Sequence, residues 1–328
     1  MKSINLKELF KNKITGNIII IVTAIIFTYL LIAIFFTNHF FFNTEINGIN
    51  LSLKSYEEAP DILKKSINDY KLQIIERDEK IEEILGKDIG LQYNEKNSIS
   101  NVQDRQASLK WIVGLIKKQN YNIGDLVDYN NENLNNKIKE LDCLNKDIIE
   151  PKNVGFKYSN GSYELIEEVY GNKVKKEKLY EAIENSILNG EVKIDLNEKL
   201  CYENPEYTVN SEKAMIAKDI LNKYVSTKIT YLFGDKSEVL DGSRINEWLS
   251  VDDNLEVIIN EKSVKDYVLE LSAKYNTVGI ARNFKSSTGK MVEVKGGYYG
   301  WKINYVAETR MLLENIKLGA ILEKEPIY

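Results

Sequence analysis

Few side chains in this sequence could do covalent or metal chemistry. There are two cysteines, Cys143 and Cys201, and one histidine, His39. A thiol becomes a nucleophile when a base or an electropositive setting makes it a thiolate. Cys143 stands in Leu-Asp-Cys-Leu-Asn and Cys201 in Lys-Leu-Cys-Tyr-Glu, and neither has a CxxC partner. A structural zinc site takes about four Cys or His ligands, more than the chain holds. No catalytic residue, metal site or cofactor is therefore expected. A Cys143–Cys201 bridge and two separate buried thiols both fit this count. The neighbouring carboxylates Asp252 and Asp253 read as a turn, not as acid–base machinery.

The binding candidates are aromatic and charged. Tyr298, Tyr299 and Trp301 cluster at a Gly-rich turn. Exposed, such rings can stack on sugars; packed, they form a corner of the fold. Arg282, Lys285 and Lys290 can meet carboxylates, or simply be solvated. Glu308 sits in the helix after the turn, either as a ligand group or as a partner for Arg310 or Lys302.

These residues need a frame, which begins at a membrane. Residues 17–36 (NIIIIVTAIIFTYLLIAIFF) carry no charge. About 20 apolar residues match a hydrocarbon core of about 30 Å. Lys2, Lys7, Lys11 and Lys13 precede the run against one Glu8, and the first charge after it is Glu45. Positive charge resists translocation, so the N-terminus should stay in the cytoplasm and the rest outside. A cleaved signal would have a shorter apolar run ending in small residues; this one ends in Phe35-Phe36. His39 reads as an interfacial residue. The net charge of -5 argues against a nucleic-acid partner. Abundant Lys, Asn, Ile and Tyr read as the codon bias of an AT-rich bacterial genome.

Beyond Ile46, strand and helix patterns alternate. Ser55 can cap a helix through Asp69, with Ala59, Ile62, Leu63 and Ile67 on one face. Residues 70–76 and 81–85 suggest a hairpin. Residues 106–118 read as an amphipathic helix carrying Leu109, Trp111, Ile112, Leu115 and Ile116. The chain also matches itself. Leu134, Ile138 and Leu141 align with Val264, Val268 and Leu271. Residues 161–190 align with 289–319, with one extra residue in the second. Their shared core is Tyr170-Gly171-Asn172-Lys173-Val174 and Tyr299-Gly300-Trp301-Lys302-Ile303, then a helix closed by Gly190 or Gly319. Trp111 and Trp248 lie in the upstream helices of the two copies. Residues 210–224 read as a connecting helix with Ala214, Ala217, Ile220 and Leu221 buried.

At Tyr299–Ile303 the sequence resembles the non-catalytic N-terminal region of clostridial-type L,D-transpeptidases of the YkuD class. Related units occur in vancomycin-resistance W-type proteins. Other matching stretches are Ile46–Leu51, Asp88–Leu91, Leu240–Ser243, Val264–Tyr275, Phe284–Gly289 and Tyr299–Gly319 with Glu308, then Glu325-Pro326. The resemblance covers about residues 44–328 and implies peptidoglycan-binding domains in a Gram-positive cell wall. In the resembled enzymes a catalytic domain follows the Glu-Pro segment, with its cysteine in a Ser-x-Gly-Cys motif and a histidine upstream. Cys143 and Cys201 depart from that motif, so the transfer chemistry does not carry over.

The expected fold is α+β: an N-terminal transmembrane helix, then two repeated helix–hairpin–helix units. The expected segments are a cytoplasmic tail (1–16), a signal anchor (17–37), a juxtamembrane segment (38–87), a first repeat (88–200), a connecting helix (201–225) and a second repeat (226–328). The expected role is a non-enzymatic module binding peptidoglycan near Tyr298, Tyr299, Trp301, Arg282 and Glu308. A spacer or protein-interaction stalk is the alternative.

Overall fold

The computed structural model describes residues 13–94 and 99–328. Lys2, Lys7, Glu8 and Lys11 lie outside the described residues. The first half of the chain runs α1 (Lys13–Phe35), β1 (Thr44–Ile46), β2 (Ile49–Asn50), α2 (Ala59–Asn68), β3 (Lys71–Ile75) and β4 (Ile81–Leu85). Next come β5 (Gln92–Tyr93), α3 (Ser100–Arg105), α4 (Val113–Ile116), β6 (Gln119–Tyr121), β7 (Val127–Asp128), α5 (Asn131–Glu140) and α6 (Asp142–Asn145). The middle holds β8 (Gly155–Ser159), β9 (Ser162–Ile166), α7 (Lys176–Asn189), β10 (Lys193–Asp195) and α8 (Glu212–Val225). Then follow β11 (Lys228–Phe233), β12 (Lys236–Leu240), α9 (Gly242–Ile245), β13 (Leu249–Val251), β14 (Val257–Ile259) and α10 (Glu261–Tyr275). The chain closes with β15 (Arg282–Lys285), β16 (Met291–Val294), α11 (Tyr305–Leu318) and β17 (Ile321–Lys324).

Two compact units result. The first holds residues up to Ile149 together with Asn172–Glu203; the second holds Glu150–Gly171 and Asn204–Tyr328. Each has a three-stranded sheet of the same design. In the first, the order is β10-β3-β4, with β3 antiparallel to β4 and parallel to β10. In the second it is β12-β11-β17, with β11 antiparallel to β12 and parallel to β17. Alternation makes the cores: Leu72 and Ile74 of β3 are buried, as are Ile229, Tyr231 and Phe233 of β11. Helices supply the matching faces. Leu134, Ile138 and Leu141 are buried in the first unit; Val264, Val268 and Leu271 are buried in the second. Their helices start alike: Asn130 Oδ1 accepts from Asn133 N, and Asn260 Oδ1 from Ser263 N. The helices α7 and α11 bury Ile183 and Ile187, and Leu312 and Ile316, at aligned positions. Gly190 (φ 70°) and Gly319 (φ 68°) end them in the left-handed region.

The helix α1 contains 20 residues, Gly16–Phe35, long and apolar enough to cross a membrane. Before α2, Ser55 Oγ and Glu58 bond each other's backbone N–H groups reciprocally. Residues 106–118 correct the sequence reading, for they do not form one helix. They break into a 3₁₀ turn at Ser108–Lys110 and the single turn α4. Gln106 is buried and spends its side chain on Phe41 N and Thr44 Oγ1, both at 3.0 Å. A Cβ on Gly114 would come within 2.8 Å of Phe42 O, so the chain is pressed onto the post-helix segment there. Trp111 joins Phe36 and Phe41, whereas Trp248 packs beside Tyr267; the two tryptophans are not equivalent.

Candidate functional site

The aromatic turn of the second copy is built on glycine. Gly300 has φ 117°, and a Cβ there would lie 2.6 Å from the Thr277 backbone. Thr277 holds the turn by pairing its N with Trp301 O and its Oγ1 with Trp301 N, both at 2.9 Å. Asn276 Oδ1 accepts from Ile303 N at 2.9 Å. The turn is thus fixed from below while its rings face out. Tyr298 is fully exposed, Tyr299 is 77% exposed and Trp301 is 50% exposed. Trp301 lies near Gly234 and 5.7 Å from the Tyr328 ring. Tyr299 instead lines a cleft with Ile280, Arg282, Phe284, Val294 and Lys295. So Arg282 and Tyr299 share one cleft that Tyr298 and Trp301 do not line.

Sequence reasoning passed over Phe284 and Val294. Their strands form a hairpin in which Phe284 pairs with Val292 and Arg282 with Val294. That places Arg282, Phe284, Val292 and Val294 on one face. The alternation was visible; whether anything covered the face was not.

Glu308 belongs elsewhere. It is fully buried. Tyr231 Oη donates to its Oε1 at 2.8 Å, Lys324 Nζ to both oxygens at 2.7 and 2.8 Å, and Ile327 N to Oε2 at 2.7 Å. This carboxylate clasps α11 to β11, β17 and the terminal segment, and has no face toward a ligand. Burial, with Glu308 beside it, holds the Tyr231 hydroxyl well above its ordinary pKa. The stretch Ile46–Leu51 is structural too. Asn47 is buried, donates to Ile123 O and Leu188 O at 3.0 and 2.7 Å, and accepts from Ile123 N.

Both cysteines are buried and free. Burial pushes the Cys143 thiol up to about 12, with Glu76 and Glu82 adding to it, and Cys201 up to about 11. Such thiols stay protonated near neutral pH and make poor nucleophiles. His39 is half-buried, stacked on Phe35 with ring centroids 3.9 Å apart.

The family of this fold is decided by its repeat. A family model described as "Putative peptidoglycan binding domain" matches residues 83–195 and again residues 207–320. The chain belongs to this family. The first peptidoglycan-binding domain draws on both compact units, because its hairpin β8–β9 lies in the second. The second domain carries the aromatic turn. Two solved structures share sequence with the chain. One is the Ldtfm–avibactam carbamoyl enzyme, at 31% identity over 36% of this chain and 45% of that one, with a TM-score of 0.30. The other is a cysteine-to-serine variant of the Enterococcus faecium L,D-transpeptidase, at 29% identity over 35% and 45%, also with a TM-score of 0.30. The matched part thus spans less than half the length of either. No curated protein matches the chain.

Proposed function

We propose that this chain is a membrane-anchored cell-wall module whose outer part binds peptidoglycan and positions an L,D-transpeptidase activity, without catalysis by its own residues. The observation that carries the reading is the pair of family matches, the second of which includes the exposed aromatic turn. Tyr298, Tyr299 and Trp301 offer sugar rings apolar contact that needs no charge match, which suits a chain of net charge -5. Arg282, in the cleft with Tyr299, supplies a cation for stem-peptide carboxylates. Glu308 keeps that domain folded and touches no glycan. The helix α1 is the tether, with the basic N-terminal residues inside the cell. Tethering raises effective concentration, so weak binding suffices. The raised thiol pKa values support a non-catalytic role.

Co-sedimentation of the full chain, held in detergent micelles that cover α1 and the surface beside it, with purified sacculi tests the reading. The wild-type protein should pellet. A Tyr298→Ala/Tyr299→Ala variant should melt normally yet stay in the supernatant. Wild-type protein that stays in solution at every wall concentration would hand the role to a spacer. Topology has its own test: protease added to intact protoplasts should digest the part after Phe42, and full protection would reverse the orientation.

A further inference from the structure

The segment between α3 and β6 has an unusual surface. Within eight residues, Leu109, Ile112, Val113, Leu115 and Ile116 are all exposed, Ile116 at 84%. A water-facing loop rarely presents so much contiguous apolar surface without a partner. Nor is the loop loose. Trp111 is buried between Tyr29, Phe36 and Phe42, with ring centroids 5.4, 6.0 and 6.4 Å away. Asn43 Nδ2 donates to Gly114 O at 2.8 Å, and Gln119 N to Asn43 O at 2.9 Å. The five apolar side chains are therefore held outward on a fixed backbone.

Its position says what should cover it. Tyr29 Oη donates to Leu109 O. Tyr29 lies six residues before Phe35, the last residue of α1. At 1.5 Å per residue that is about 9 Å below the outer end of the helix. Trp111 and Ile112 also border a groove with Ile25, Thr28, Tyr29 and Ile32 of α1. The apolar loop is thus continuous with the apolar helix over about its last three turns. Lys110, Lys117 and Lys118 are exposed at its edges. Long cationic side chains there can lie along apolar surface and keep their charge at headgroup level.

We propose that residues 109–116 form a second membrane-contacting element, a wedge immersed in the acyl chains of the outer leaflet beside α1. The proposal rests on α1 being a membrane span. Its consequence is mechanical: two contacts, helix and wedge, fix the tilt and height of the first unit at the bilayer surface, where a single helix would leave it free to swivel.

The test uses the full chain in lipid nanodiscs, spin-labelled at one introduced cysteine at a time. Ile116→Cys reports the wedge, Ile25→Cys the span, and Leu200→Cys an exposed position of the first unit outside the bilayer. Accessibility to oxygen, which partitions into lipid, is compared with accessibility to a water-soluble nickel chelate. The Ile25 and Ile116 labels should favour oxygen several-fold over the Leu200 label. A lipid-protected Ile25 label beside a nickel-accessible Ile116 label would overturn the wedge and leave the span standing. A nickel-accessible Ile25 label would overturn the span reading and the wedge with it. Spin–spin broadening at Ile116 that disappears on dilution with unlabelled chain would assign the face to a second copy and also overturn the proposal.

Discussion

The hairpins β8–β9 and β15–β16 have the same place in the repeat and opposite fates. In the first, Phe156 and Leu165 pack with Val154, Ala214, Ala217 and Leu255. Asn222 grips Tyr163 through both backbone groups, accepting from its N at 2.6 Å and donating to its O at 3.2 Å. In the second, every strand residue is exposed, Phe284 at 54%. Both are antiparallel and both carry apolar residues on one face. The turns differ: Asn160-Gly161 closes the first with two residues at positive φ, while Ser286 N bonds Lys290 O in the second. A lone two-stranded hairpin is marginal in water. The first is made part of a core by what lies against it, and the second keeps its apolar face open beside the aromatic turn.

A second difference between the copies lies in the following helix. Leu179 in α7 and Glu308 in α11 occupy aligned positions, and both are fully buried. One is apolar packing and the other an ionic clasp. The largest effect is expected here. Glu308→Leu makes the second copy match the first, yet it strands the Tyr231 hydroxyl, Lys324 and Ile327 N. Lys324 keeps partial contact with water, but the buried Tyr231 hydroxyl and Ile327 N lose their acceptor, at about 1–3 kcal/mol each, read as a lower urea midpoint. A Glu308→Leu protein as stable as wild type would mean that the copies are interchangeable at this position.

The seated hairpin comes next. Asn222→Ala removes both of its bonds to Tyr163 and should cost about 1–2 kcal/mol. Hydrogen exchange should show the same contrast without mutation. The paired amides of β15–β16 should exchange faster than those of β8–β9, because few buried contacts hold them. Equal protection would indicate that the second hairpin is covered in solution.

The repeat was legible because its signals are local and periodic. Leu134, Ile138 and Leu141 against Val264, Val268 and Leu271 needed only helical spacing. The same spacing misled at residues 106–118, where Trp111 alone is buried against α1 and the other apolar residues are held outward, instead of forming a helix that faces a core. Gln106 and Gly114 decide that outcome through Phe41 and Phe42, more than sixty residues away in sequence. Glu308 stands where the first copy has Leu179, so the repeat does mark the position as buried; what the sequence hides is the clasp, because Tyr231 lies 77 residues earlier and Lys324 sixteen residues later. Of the binding candidates, Tyr298, Tyr299, Trp301 and Arg282 are all at the surface. That Phe284 lines a cleft could not be read from the sequence, because alternation along a strand does not reveal whether its inner face is filled.

Phe284 also gives the smallest expected change in stability. Its side chain is already half in water, and it pairs across the strand only with Val292. Phe284→Ser should therefore move the folding free energy by no more than about 0.5 kcal/mol, as surface substitutions do. Leu165→Ser, at the seated hairpin, should cost about 1–2 kcal/mol in the same assay, as expected for a half-buried leucine. Binding should rank them in reverse. Phe284 lines the cleft that holds Tyr299 and Arg282, so Phe284→Ser should weaken sedimentation with sacculi several-fold while the melting curve stays put. Leu165→Ser should leave sedimentation unchanged at temperatures where the protein remains folded. If Phe284→Ser binds like wild type, the open face is not part of the glycan contact, and Tyr298 and Trp301, which do not line that cleft, become the place to look.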